Sequence, residues 1–360
     1  MSEYQYYEFQ AIDQALDDRA QRDLRNISSR ATITATSFTN TCSWGDLRGD
    51  PAKMLTRWFD AFLHVTNWGT RWLAFRIPSG ALSPEELAPY EVEIFSSQHD
   101  EDFTCLHFHL QPEDSGGDWL DGEELLGSLL PLREALGAGD HRCLYLAWLV
   151  DVHWGALDED DEEPPVPPGL NELDAAHKAF VEFMGVDLDL LEIAAEASPP
   201  LTRTEPTHDT TRSWLAIADS DEKDSWLLQV IEGNGSLVRW ELRKRLRDDV
   251  AEPAHVGPPP RTVGELMQRA EARAEERMKQ MERARAERLR QQAAQREEAH
   301  QCHLDSLIGR ESELWRQMDD LVATWETRCS ALRMTHHRKQ ALIRRLNQMA
   351  TPPSEPKRSR

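Results

Sequence analysis

Cysteine is sparse and unpaired. Five residues (Cys42, Cys105, Cys143, Cys302 and Cys329) are scattered over 360, with no CxxC step. An odd, dispersed set is unlike a disulfide framework or a paired-cysteine zinc site, and it fits a reducing compartment. No stretch approaches the roughly eighteen apolar residues of a membrane span. The opening MSEYQYYEFQ lacks the basic-then-apolar layout of a secretory signal, so the expected compartment is the cytoplasm and no membrane contact is expected. Phosphate-binding P-loop, GxGxxG, GxSxG and HExxH motifs are all missing, which removes the commonest signatures of nucleotide, hydrolase and zincin chemistry. No cofactor is expected. Positive charge is short as well: 41 Lys+Arg face 64 Asp+Glu, a net charge of −23. Such a chain repels bulk nucleic acid and anionic lipid, so nucleic acid is not an expected partner.

Glycine and proline are missing from one long stretch. Between Gly264 and Gly309 there is neither, and Ala, Glu, Arg, Gln and Met dominate. These are strong helix formers, and the rod they predict is roughly 65 Å long. It lies in the one basic part of the chain. Residues 261–360 carry 21 Lys+Arg against 15 Asp+Glu, whereas residues 1–260 carry 20 against 49. A two-stranded coiled coil wants apolar residues every 3.5 positions. The best stripe here is Met267, Ala270, Ala274, Met278, Met281, Arg285 and Leu289. It is thin, is interrupted by Arg285, and repeats every eleven residues, which favours a straight helix over a left-handed zipper. Beyond Gly309, Leu314, Trp315, Met318, Leu321 and Trp325 recur at helical spacing. Leu332, Leu342, Ile343 and Leu346 then predict a terminal helical hairpin, and residues 351–360 a basic disordered tail.

Two proline-rich joints divide the rest. The first, 158–169, is an acidic run followed by Pro164, Pro165, Pro167 and Pro168; the second, 251–261, ends in Pro258, Pro259 and Pro260. Neither suits a helix or a central strand. The expected organisation is an α+β domain over 1–157, a linker over 158–169, a helical domain over 170–250, a linker over 251–261, and the long helix with its hairpin over 262–350. In the first domain, strands are predicted at 4–12, 31–38 and around Leu73, Phe75 and Ile77. Others are expected near Val92 and Ile94 and around Leu106, Phe108 and Leu110. Helices are predicted at 14–26, 51–65, 121–133 and 143–154. Short turns between strands imply an antiparallel sheet, and the fold class is α+β. Within 170–250, Gly185 should end one helix, Asp187 should cap the next, and Asp219 with Glu222 should open a third.

Cys105, His107 and His109 form the most chemical-looking patch. On a strand they share one face, and Cys with two His is a reasonable ligand set for zinc or a similar transition metal. Same-face neighbours on one strand stand about 6–7 Å apart, too far to chelate unaided, so the plainer reading is a polar outer face. His64, His153 and Asp151 join only if the fold delivers them. His300, Cys302 and His303, and Cys329, His336 and His337, are weaker clusters that lack the i,i+4 histidine pair of a helical metal site. Three Trp-Gly steps (Trp44-Gly45, Trp68-Gly69 and Trp154-Gly155) read as tight turns beside packed aromatics.

Several stretches, YQYYEFQAID at 4–13, SSRATITATSF at 28–38, WGDLRGD at 44–50 and DAFLHVTNWGT at 60–70, resemble an uncharacterised family of bacterial proteins. PPVPPGL, EASPPL, RTVGEL and HLDSLIGRESELW extend the resemblance over most of the chain. It implies a bacterial cytosolic protein and brings no activity, cofactor or catalytic residue. Three readings follow. The leading one is a non-enzymatic interaction or scaffold protein that binds a protein partner, or itself, through residues 262–350. The rivals are a metal-dependent enzyme or accessory with its site near Cys105, His107 and His109, and an accessory subunit of nucleic-acid-processing machinery.

Overall fold

The computed structural model describes residues 3–112, 120–201, 208–250 and 260–349, leaving the side chains of 247, 248 and 250 aside. Most of the second proline-rich joint and the 351–360 tail lie outside the described residues. The chain divides into two compact units, 1–276 and 277–360.

The first unit is α+β. Its seven strands are β1 (Gln5–Gln10), β2 (Thr32–Ile33), β3 (Ser37–Cys42), β4 (Ala61–Thr66), β5 (Arg71–Pro78), β6 (Phe95–His99) and β7 (Phe103–Leu110). They form one sheet in the order β2-β3-β1-β4-β5-β7-β6, and every pairing is antiparallel. Between the strands run α1 (Asp18–Ile27), α2 (Pro51–Trp58) and α3 (Pro84–Leu87). Asp17 caps α1 through the Ala20 N–H, and Asp50 caps α2 with Pro51 in its first turn. The helix expected over 51–65 stops at Trp58, and 61–66 is the central strand β4. Ala61, Phe62, Leu63 and Val65 are all fully buried. A strand covered on both faces loses the alternation that distinguishes it from a buried helix.

Both faces of the sheet are covered, unequally. On one, Phe9, Phe38, Phe62 and Ala74 pack under Leu24 of α1 and Met54 and Leu55 of α2. On the other, Leu63, Leu73, Phe75, Leu106 and Phe108 meet the helices that follow. Those are α4 (Leu125–Leu129), α5 (Pro131–Gly137), α6 (Arg142–Trp154), α7 (Ala175–Met184) and α8 (Leu188–Ala197). Helix α6 has eleven consecutive buried residues, Arg142 to Val152, and is the central helix of this layer. Gly185 ends α7 in the left-handed conformation and Asp187 caps α8, as the sequence predicts. Next come α9 (His208–Ile217), α10 (Ser220–Ile231) and α11 (Gly235–Val250). Asp219 caps α10 through the Asp221 N–H, and Trp240 of α11 reaches the main core.

Residues 158–169, expected as a linker, are bonded into the body. Glu162 forms an antiparallel bridge with Thr262. The Glu163 N–H donates to Arg261 O at 2.8 Å, and the Val263 N–H to Asp161 O at 2.9 Å. The buried Glu163 carboxylate receives Arg261 Nε at 2.8 Å, Arg261 Nη2 at 2.6 Å and the Tyr145 hydroxyl at 2.5 Å. Tyr145 is held protonated by burial and by this carboxylate. From here starts α12 (Val263–Thr335), opened by a reciprocal Thr262–Glu265 capping box. Val263, Leu266 and Ala270 lie in the main core, so the first turns of the long helix are part of the first unit.

The second unit holds the rest of α12 and α13 (Gln340–Met349). Helix α12 continues through Gly309 without a break. A short turn stands between the two helices, where Lys339 N–H donates to His336 O at 2.9 Å. Among the few buried side chains here are Cys329 and Leu346.

Candidate functional site

The strand order assembles a histidine-rich face that no single segment announces. Alternation puts Cys105, His107 and His109 on one side of β7, and the β5 register sets them opposite Arg76, Ala74 and Trp72. Trp72 in turn faces His64 of β4, and His64 faces Tyr7 of β1. The three predicted residues do not share one environment. Cys105 is 1 % exposed within the apolar cluster under α1 and α2, and burial pushes its thiol up to about 11. His107 and His109 are half-buried at the open end. Of the three residues that could have joined them, only His64 does. His153 stands 3.7 Å from Asp187, and Asp151 caps the Ile94 N–H at 2.9 Å.

Aromatic stacking and side-chain hydrogen bonds order this face. His64 stacks on Tyr7 at 4.2 Å between ring centroids. Its Nε2 lies 3.1 Å from Gln5 Oε1, which also accepts the Tyr7 hydroxyl at 2.6 Å. Gln5 Nε2 donates to Asp46 Oδ1 at 2.8 Å. Trp72 lies 5.0 Å from His109, and its Nε1–H donates to His107 Nδ1 at 3.3 Å, leaving the His107 proton on Nε2. Burial, and then the neighbouring His109, lower His64 to about 4. His107 and His109 are lowered by burial too, His107 further by His109. All three are therefore neutral near pH 7. The result is an uncharged aromatic shelf. Among the described residues no group of three or more His, Cys, Asp or Glu is arranged to hold a metal ion.

The other histidine and cysteine clusters stay apart. Cys302 is exposed and Cys329 buried, and His337 Nδ1 lies 3.3 Å from Met334 O. At the three Trp-Gly steps every glycine has positive φ, so the turns are present. Trp44 and Trp154, however, are exposed rather than packed.

The second candidate is one face of α12. Leu304, Ile308, Trp315, Met318, Val322, Trp325, Cys329 and Leu332 alternate at spacings of four and three residues, with Glu311 filling the one remaining position. Leu307, Leu314 and Leu321, seven apart, widen the seam. This is the three-in-seven pattern of a helix that packs in a bundle. All of these apolar residues except Cys329 are exposed, Ile308, Leu314 and Leu321 by more than 60 %. At about 1.5 Å per residue the seam is roughly 43 Å long, and at about 10 Å wide it presents on the order of 400 Å². Patches of that size on a monomer commonly mark interaction sites. On the first unit, Ile217 of α9 and Leu227, Leu228 and Ile231 of α10 are also exposed.

Comparison with protein families, with curated proteins and with solved structures finds no match for this chain. No helix among the described residues is long and apolar enough to cross a membrane.

Proposed function

We propose that this is a non-enzymatic cytoplasmic interaction protein, in which the compact α+β unit carries a helical arm that docks on a protein partner. The exposed three-in-seven seam from Leu304 to Leu332 carries this reading. Aliphatic and aromatic side chains arranged at bundle spacing gain most when another helix covers them.

The test is a chain ending at Glu276, compared with the full chain in affinity purification from the native host. The shortened protein should stay folded by circular dichroism and lose its partners. Retention of every partner and of the same mass in solution would sink the proposal.

A further inference from the structure

We propose that the partner of the α12 face is a second copy of this chain, lying antiparallel along residues 277–326; this rests on the docking function proposed above. The first observation is a charge division along the helix. Residues 277–300 carry seven Lys+Arg against four Asp+Glu, and residues 304–326 carry two against six. A parallel, in-register pair sets like on like. An antiparallel pair sets the basic half of each copy along the acidic half of the other, which favours encounter and fixes direction.

Among registers that join the basic half to the acidic half, the one that overlaps residues 277–326 levels three apolar pairs. The positions of Met278 and Trp325, of Met281 and Val322, and of Leu289 and Leu314 add to the same value. One two-fold axis, between Gln301 and Cys302, therefore brings all three pairs level at once, as an isologous interface requires. All six side chains are exposed in the single chain. Methionine set against tryptophan is a favourable contact, with sulfur near the ring. The same axis brings Arg290 level with Glu313 and Glu287 level with Arg316.

Area supports the longer overlap. The 304–332 seam pairing alone offers about half of the ~800 Å² per partner of a stable interface. Overlap of residues 277–326 runs about 75 Å and offers on the order of 750 Å².

The test uses the full chain. Sedimentation should give twice the chain mass, and Val322→Glu with Trp325→Glu, which strike the Met281 and Met278 pairs, should weaken the dimer at least tenfold while helicity is kept. Direction is read in a Cys302→Ser background from Leu289→Cys and Leu314→Cys, oxidised separately and mixed. A disulfide-linked dimer should form in the mixture and in neither variant alone. Cross-linking of either variant alone would establish parallel pairing and overturn the proposal. So would a monomer at tens of micromolar, which leaves docking on another protein standing if partner recovery still needs the Trp325 face. If the double variant changes neither mass nor partners, the docking reading fails as well.

Discussion

Arg133 is 1 % exposed. Its Nη1 donates to Asp13 at 3.2 Å, its Nε to Arg76 O at 2.9 Å, and Asp60 lies 3.8 Å away. Asp60 also accepts the Ile12 and Asp13 N–H groups at 2.6 and 2.9 Å. Asp60 keeps Arg76 at 2.7 Å, so Arg133→Ala takes the counter-ion from Asp13 and empties a buried, fully bonded site. We expect a loss of about 3–5 kcal/mol in stability, read from the urea midpoint. His64 makes a different statement. Its folded pKa of about 4 lies below the ordinary value near 6.5, so in that interval the unfolded chain binds more protons. Its contribution is complete above pH 6.5 and is lost as pH falls toward 4. Asp151 has the opposite sign. Burial raises it to about 6, so its contribution is lost as pH rises from 4 toward 6. His64→Gln should flatten the acid-side fall in stability. Asp151→Asn should stabilise at pH 7, by up to about 3 kcal/mol. Urea midpoints of both variants at pH 4.5 and 7 check the two signs; equal shifts at both pH values would contradict them.

At the scale of elements, two glycines are expected to respond in opposite directions. A Cβ on Gly137 would fall 1.4 Å from a Trp240 ring atom, and Trp240 is itself fully buried beside the Arg133 guanidinium. Gly137→Ala should therefore push α11 away from α5 and lower the melting temperature of the first unit. A Cβ on Gly309 meets nothing within 4 Å. Gly309→Ala should stabilise the arm by about 0.5–1 kcal/mol, seen as a higher helix melting temperature. The same two sites show what the sequence could and could not reveal. The helical and basic character of the arm were legible, because helix propensity and charge are local, but its length of 73 residues exceeds the stretch between Gly264 and Gly309. The passage of α12 through Gly309 was less legible, since one glycine costs only about 1 kcal/mol in a helix whose neighbours all favour it. Cys105, His107 and His109 were legible as one face, because the period of a strand is fixed. Their meeting with His64, Trp72 and Tyr7 was not, because it depends on the β1-β4-β5-β7 neighbour order. Short-range pattern does not specify that order.

At the scale of the whole chain, the proline-rich joints proved poor guides to where the molecule can be divided. The sequence places a boundary near residue 261, yet Arg261, Val263, Leu266 and Ala270 belong to the first unit. Ion pairs of Arg269 with Glu196 and of Arg273 with Glu192 continue the attachment along α8, although exposed pairs of this kind contribute little each. The apolar residues and the buried Glu163 matter more. Ending the chain at residue 260 removes the counter-ion of a buried carboxylate and uncovers the apolar groups that Val263 and Leu266 fill. Ending it at Glu276 removes neither. The two truncations differ by sixteen residues, and we expect them to differ sharply in fate. The longer form should melt cooperatively near the full chain's first transition, and the shorter should lose several kcal/mol or aggregate. Arg261→Met in the full chain isolates the ionic part of that difference. It should reproduce a loss of about 3–5 kcal/mol without shortening the helix. Equal melting temperatures for the 260 and 276 forms would mean that the start of α12 lies on the body without contributing to its stability.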